Sequence, residues 1–510
     1  MRGLVILVAV GACSPSKSDA PAPPPKPAPV ESTIAARDYI GPAACGECHP
    51  EQHVLWSQSL HRVMNQQADG DAVIADLDKT LAYGGGTVRM ERDERGYAMT
   101  FLRGAQTTRY RITRTIGKKS LQEYVGVVDG TTEEVRLPVG WWPRLGGFYP
   151  QPFFDPWLDE DDIDIYAPVK EPWAERCPWC HSTYPFEQRI ARASGPRSLG
   201  HGLEQFFAGP AGTTRLEVAQ QVTTGISCES CHLGGRAHAA GAPIHFVPLG
   251  AEPRGNAPAP TAFAVERLDP EIVNTVCAQC HSGPSPRFPD GSASRNSSEA
   301  IDLAASSCTT ARCTHCHDPH RGGSSEERAI AACTECHGAL GEPQAARAHA
   351  GNGHDGVTCL DCHMPKITMG IDRYVRSHRI SSPSDRTMLA AAAPNACNLC
   401  HLDRSIEWTL AELKLSVGNL DAYGEPDDAV GAAWLASKEP DIRVMAAMAY
   451  ARSKLGRYAL ADLLPLLDDA RPYVRTWTQF AVEEILGKKL DYDPRASSAA
   501  RRAAIQKLRP

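Results

Sequence analysis

Eight times the chain repeats Cys-x-x-Cys-His: Cys45/Cys48/His49, Cys177/Cys180/His181, Cys228/Cys231/His232, Cys277/Cys280/His281, Cys313/Cys316/His317, Cys333/Cys336/His337, Cys359/Cys362/His363 and Cys397/Cys400/His401. Two thiols three positions apart, followed at once by an imidazole, are the attachment signature of c-type haem. The thiols form thioethers with the porphyrin vinyl groups, and the imidazole becomes the proximal iron ligand. Zinc held by the C-x-x-C pairs is the competing chemistry. Zinc makes no demand on the residue after the second cysteine, yet all eight copies carry histidine there. The spacing therefore predicts eight covalently attached haem c groups, sixteen attachment cysteines and eight proximal histidines.

Each iron needs a sixth ligand or an open position. Ten histidines lie outside the proximal positions, so eight bis-histidine irons are arithmetically available. The candidate distal ligands are His53, His61, His238, His320, His349, His354 and His378. His53 stands one helical turn beyond His49. His61 ends Trp56–His61, and His238 follows His232 across Gly234-Gly235. His320 closes Asp318-Pro319-His320, His349 and His354 precede the seventh motif, and His378 follows it. His315 sits inside its own motif and ranks lower; His201 and His245 lie in Gly- and Pro-rich coil and rank last. Met64, Met90, Met99, Met364, Met369, Met388, Met445 and Met448 are the other soft donors, but several follow strand or helix core patterns. Paired histidines without methionine imply lower reduction potentials. No residue is assigned a catalytic role.

Something must hold these groups in place. The chain has 510 residues but only 7% aromatics. From the second motif onward, first cysteine to first cysteine, the spacings are 51, 49, 36, 20, 26 and 38 residues. Segments below about 40 residues rarely fold alone without a metal or disulfides. They must share a core, which we expect to be built largely on porphyrin, with neighbouring groups close enough for electron hopping. A net charge of −7 excludes the positive field that nucleic-acid binding requires and favours cationic or redox-protein partners.

Residues 1–13 read as a lipoprotein signal ending at Cys13, the expected lipidation site. An ordinary secretory signal is the alternative. Residues 14–37, rich in Pro and Ala, read as a tether. No stretch approaches the ~20 apolar residues of a membrane helix, so the expectation is an exported periplasmic protein lipid-anchored to the outer membrane. Residues 38–83 hold the first motif. Residues 84–170 form a β insert and an aromatic loop. In the insert Val88/Met90, Tyr97/Met99/Phe101, Tyr110/Ile112 and Val135/Leu137 alternate between Gly-rich turns. The loop holds Trp141, Trp142, Phe148, Tyr149, Phe153, Phe154 and Trp157; its expected job is to cover haem faces, an ordinary apolar mini-core being the alternative. The acidic run 159–164 reads as solvated surface. Residues 171–403 carry motifs two to eight in short helices and irregular coil. Residues 404–510 turn helical, with Pro440-Asp441-Ile442-Arg443 and Pro472-Tyr473-Val474-Arg475 offset by 32 residues. This resembles a HEAT-like helical repeat, read either as a structural cap or as a protein-docking arm. The fold class is thus a mostly α and irregular-coil multihaem core, with a small antiparallel β insert and a C-terminal α-helical repeat.

The stretches Cys45-Gly46-Glu47-Cys48-His49 with Trp56 and His61, Gln122-Glu123-Tyr124-Val125, Cys228–His232 with His238, Cys316-His317-Asp318-Pro319-His320, Cys359–Pro365 with His378, and Pro394-Asn395-Ala396-Cys397 resemble the bacterial multihaem cytochromes related to cytochrome c-552/c-554 and pentahaem nitrite reductase. The resemblance covers roughly residues 38–403. It implies stacked and perpendicular haem pairs and mostly bis-histidine ligation. The chain departs from the nitrite reductases in lacking a Cys-x-x-Cys-Lys motif. Two functions compete. One is an electron carrier between redox partners in the envelope. The other is an oxidoreductase of nitrite, hydroxylamine or tetrathionate at one open haem, with Arg144, Tyr149, Arg189 and His201 as pocket candidates.

Overall fold

The computed structural model describes residues 35–186, 188, 215–216, 218–242, 270–283, 285–351, 353–418, 420, 423, 425 and 427–508. Cys13, residues 14–34, Arg189, His201 and His245 lie outside them.

An antiparallel meander follows the first motif. Strands β2 (Thr80–Tyr83), β3 (Gly86–Asp93), β4 (Gly96–Arg103), β5 (Gln106–Ile116), β6 (Glu123–Val128) and β7 (Val135–Arg136) pair in chain order, and β1 (Gln66–Gln67) adds to β5. The register places Val88 opposite Phe101, Met90 opposite Met99, and Met99 opposite Tyr110, so one apolar face is continuous across three strands. Gly84 and Gly85 turn β2 into β3 with φ of +56° and +75°, the left-handed pair that a tight hairpin requires.

One expectation changes here. The aromatic stretch is not a loop over porphyrin faces: β8 (Val139–Trp142) and β9 (Gly147–Pro150) form a hairpin whose residues are all buried. Its rings interlock with the C-terminal helix Pro472–Leu486. Trp142 lies 5.2 Å from Phe480 and 6.0 Å from Trp477, and 5.5 Å from Tyr149, all edge-on, the arrangement ring quadrupoles favour. Hydrophobic contact thus runs unbroken from Leu81 through Trp142 to Val482, and 404–510 is not a separate unit. The acidic run is largely the solvated face expected: Asp159, Asp161, Asp162 and Asp164 are exposed. Glu160, half-buried, is the exception; it receives Arg501 at 2.9 Å and Arg475 at 3.3 Å. Arg475 is fully buried, and a charge so placed must be paired. Glu160 thus pins the end of the aromatic stretch to the C-terminal helices.

The 32-residue offset reappears as a repeated contact. Arg443 donates to the carbonyls of Ser437 and Lys438, and Arg475 to those of Asp469 and Ala470. Each guanidinium reaches back six and five residues to the approach of its own helix, and each helix opens with proline at its first position.

The motif-bearing half is built differently. Between Ser294 and Cys359 the only described apolar side chain that is buried is Ala329. Side-chain packing does not hold such a segment together. No helix among the described residues is long and apolar enough to cross a membrane.

Trp477 has no exposed surface and touches Trp142, Tyr374 and Phe480. Trp477→Ala should cost about 3–5 kcal/mol, read as a lower denaturant midpoint in chemical unfolding. An unchanged midpoint would show that the helices do not complete the core.

Candidate cofactor-binding site

Each motif folds as one helical turn. The N–H of His49, His181, His232, His317, His337 and His401 bonds to the carbonyl of the first cysteine of its own motif at 2.9–3.2 Å. The other two motifs lie within the helices Pro270–His281 and Cys359–His363. Positions i, i+3 and i+4 of a helix share a face, so both thiols and the imidazole point the same way. Pro42 and Asn395 start two of these turns. Proline takes the first helical position, and asparagine is a cap whose side-chain oxygen accepts the Asn398 N–H.

The attachment cysteines are not all alike. In the third motif the Cys228 carbonyl accepts both the Cys231 N–H at 3.1 Å and the His232 N–H at 2.9 Å, a 3-10 bond beside the α-type one, and Cys231 is half-buried. Cys177 and Cys180 are likewise half-buried. Cys336, Cys48 and Cys400 are exposed. Each of these three is the last residue of its helix, Glu326–Cys336, Pro42–Cys48 and Ala396–Cys400, where the helix end reaches the surface. The second thiol of motifs one, six and eight therefore lies at the rim of the core.

Histidine rings then meet in twos. His49 faces His238 at 6.0 Å between ring centres, His232 faces His320 at 6.2 Å, His317 faces His378 at 6.1 Å, and His363 faces His349 at 6.0 Å. Interplanar angles in these four are 9–16°. His401 faces His354 at 6.3 Å with planes 85° apart. Every pair holds one motif histidine and one from outside the motifs, and no histidine is shared. A metal–nitrogen bond of about 2.0 Å plus the roughly 1 Å from ring nitrogen to ring centre, taken on both sides, spans roughly 6 Å. The separation fits an iron between the rings. Among the described residues no three His, Cys, Asp or Glu side chains converge as a bare metal ion would need.

In four of these rings the second nitrogen is committed. Nδ1 of His238 bonds to the Ala242 carbonyl, of His354 to Ala350 and of His363 to Ser381, all at 2.8 Å, and of His317 to Gly323 at 3.2 Å. A carbonyl can only accept, so the proton sits on Nδ1 and the Nε2 lone pair is free for a metal. This is the outer shell that ligating histidines use. His281 does the same with the Glu299 carboxylate at 3.2 Å. Glu299 escaped the sequence reading, since nothing in its spacing marks it.

Chain proximity to a motif proves a poor guide to which motif a histidine serves. His238 follows the third motif but faces the first; His320 follows the fifth and faces the third; His378 follows the seventh and faces the fifth. His354 precedes the seventh and faces the eighth. Only His349 faces the motif nearest to it. His61 is held below the usual histidine range by burial and then by the charge of His281, which places it beside the fourth motif. His53 is set apart: its ring lies 3.0 Å from where a side chain on Gly46 would begin, and 5.3 Å from Trp56. His49, φ −119° and ψ 57°, ends Pro42–Cys48 and caps Pro50–Ser57, and the His53 N–H bonds to its carbonyl at 3.0 Å, so His53 does stand one turn beyond His49. Nδ1 of His315 accepts the Arg312 N–H. Among the described residues, neither His181 nor His337 faces a second imidazole.

Methionines offer little. Met90, Met99, Met369, Met388, Met445 and Met448 are buried in the apolar core. Of the four residues named for a small-anion pocket, Arg189 and His201 lie outside the described residues. Tyr149 is fully buried among aromatic rings, and Arg144 is engaged by the Asp372 carbonyl and Glu484 and lies over Phe480.

The motifs are also brought together. The Cys45 thiol lies beside that of Cys228, and Cys277 beside Cys313. Cys180 reaches the Cys280 carbonyl at 4.0 Å. Burial first, and Cys333 second, raise the Cys316 thiol; burial and then Cys359 raise Cys333; burial and then Cys362 raise Cys397. Motif two therefore adjoins four, four adjoins five, and five to eight follow in order. One adjoins three, and the His232–His320 pair ties three to five. Cys308, half-buried, lies within electrostatic reach of Cys316 and Cys333.

Residues 346–417 match the family model of cytochrome c552. No curated protein matches the chain. Among solved structures, the outer cell wall cytochrome OcwA overlaps 92% of this chain and all of its own at 17% identity and a TM-score of 0.40. An undecahaem cytochrome from the S-layer of Carboxydothermus ferrireducens overlaps 93% of this chain and 68% of its own, at 17% and 0.38. The octahaem sulfite reductase MccA of Wolinella succinogenes overlaps 94% and 85%, at 15% and 0.34. Overlaps this loose transfer neither residues nor activity. The repeated motifs, the facing histidines and the cytochrome c552 match define the class: the chain is a multihaem c-type cytochrome that takes haem c.

His378→Ala should leave the iron at His317 without its second imidazole, seen as one high-spin ferric component more than the parent shows in electron paramagnetic resonance. His53→Ala should leave the spin state unchanged. The reverse result would show that the facing pairs do not mark the ligands.

Proposed function

We propose that the chain carries eight haem c groups and passes single electrons through them between redox partners in the bacterial envelope. The carrying observation is the unbroken adjacency of motifs two, four, five, six, seven and eight, with one and three joined through His320. When bound, haem supplies the one-electron chemistry. The chain's residues fix where the groups sit and supply their ligands: His49/His238, His232/His320, His317/His378, His363/His349 and His401/His354, with His61 assigned to His281. At these six motifs two imidazoles would hold one iron between them, which suits transfer of electrons rather than bond chemistry and would hold potentials low.

Attachment of c-type haem takes place outside the cytoplasm, so the protein is read as exported, with Cys13 as its lipid anchor and residues 14–37 as the tether. The C-terminal helices are read as a HEAT-like pair acting as a cap, because their apolar faces are spent on Trp142 and Tyr374. Redox proteins are the partners.

Intact mass of the mature protein should show eight added macrocycles. The His354/His401 planes stand nearly perpendicular, which leaves the two iron π-type d orbitals close in energy, whereas near-parallel planes split them. Paramagnetic resonance should therefore show one low-spin ferric component of unusually large anisotropy beside ordinary rhombic ones, and His354→Ala should abolish it. A colourless protein, fewer than eight macrocycles, or turnover of nitrite, hydroxylamine or tetrathionate with a reduced dye would overturn the carrier reading.

A further inference from the structure

Four imidazoles of the facing pairs, His238, His317, His354 and His363, give their Nδ1 proton to a backbone carbonyl. His281 gives its proton to a carboxylate, Glu299 Oε2. A carbonyl is a dipole, whereas a carboxylate carries a full charge. An imidazole N–H shared with a carboxylate becomes more electron-rich at its other nitrogen and a stronger donor to a metal there.

The carboxylate is itself held. Glu299 Oε1 accepts the Ser297 N–H at 2.8 Å, and Ser297 has φ +74°, a left-handed backbone that serine rarely adopts. Gly283 donates to the Ser297 carbonyl at 2.6 Å, and its own carbonyl accepts the Ser298 hydroxyl at 2.6 Å. The stretch following His281 and the stretch leading into Glu299 are thus clamped to each other, and the charge stays on the ring. Glu299 also acts through space on His317 and His378, the facing pair of motif five.

We propose that Glu299 sets a potential: through His281 it makes the motif-four haem the lowest-potential group in the chain. A fixed negative charge favours the ferric over the ferrous state, and it acts most strongly on the iron whose ligand it touches. Motif five is lowered less, since it feels the charge without a bond. Motif four lies between two and five, through Cys180–Cys280 on one side and Cys277–Cys313 on the other. An electron crossing from motif two to motif five must therefore climb through motif four. This rests on the carrier reading above.

The test is Glu299→Gln in the full, haem-loaded chain, with intact mass and a spectroelectrochemical titration of the haem bands. Gln keeps an acceptor for His281 and removes the charge. With eight haems present, one haem in eight should leave the low-potential end of the curve and titrate higher, and Glu299→Asp should return it toward the parent. Asp302→Asn, on the same helix but tied to Arg287 and the Ala293 N–H, should leave the curve in place. A superimposable curve for Glu299→Gln with eight haems overturns the inference and leaves the carrier reading standing. So does an equal shift in Asp302→Asn. A Gln variant with seven haems also overturns it, showing that Glu299 merely holds the ligand. A parent protein lacking eight macrocycles would defeat the carrier reading itself.

Discussion

Two imidazoles set about 6 Å apart are the constraint on which the motif-bearing half depends. His49 and His238 come from segments 189 positions apart, and His317 and His378 from segments 61 apart. Each pair closes a long loop, and the metal between them would supply the free energy for that closure. Loop-closure cost grows only slowly with length, so ligation can staple distant stretches where apolar packing is too sparse to do so. The scarcity of buried apolar side chains between Ser294 and Cys359 is the counterpart of that arrangement.

The other half obeys ordinary rules. The β meander, the Val139–Pro150 hairpin and the C-terminal helices share one apolar cluster, and buried arginines are matched to Glu160, Asp468 and Asp469. The Pro472–Leu486 helix reaches both halves: Trp477 meets Trp142 on one side and Tyr374 on the other. Tyr374 follows the seventh motif by eleven positions. The packed half therefore anchors the ligated half, and a rigid frame is what fixed distances between redox groups require.

Much of the site was legible because a covalent motif leaves a local signature. The eight Cys-x-x-Cys-His turns need only one helical turn to present both thiols and the imidazole, so reading them needs no tertiary information. The alternation in Val88–Met90 and Tyr97–Phe101 is equally local, and the sheet has it. The errors fell where neighbours in space are strangers in sequence. Trp142 and Phe148 looked like cover for porphyrins because Phe480 and Trp477 stand more than 300 positions away. Glu160 gave no sign of its partners because Arg475 and Arg501 are just as distant.

By itself, the sequence determined the eight Cys-x-x-Cys-His motifs and the haem c chemistry they imply, the strand alternation and the 32-residue offset between the two C-terminal helices. All of these are carried by residues within a turn or two of one another. Only the tertiary structure decided which distant histidine faces which motif, that Glu299 backs His281, and that the aromatic hairpin belongs to the helices. A pair of rings about 6 Å apart, or a carboxylate on an imidazole, is a relation between separate chain segments. Local spacing carries no record of how those segments cross.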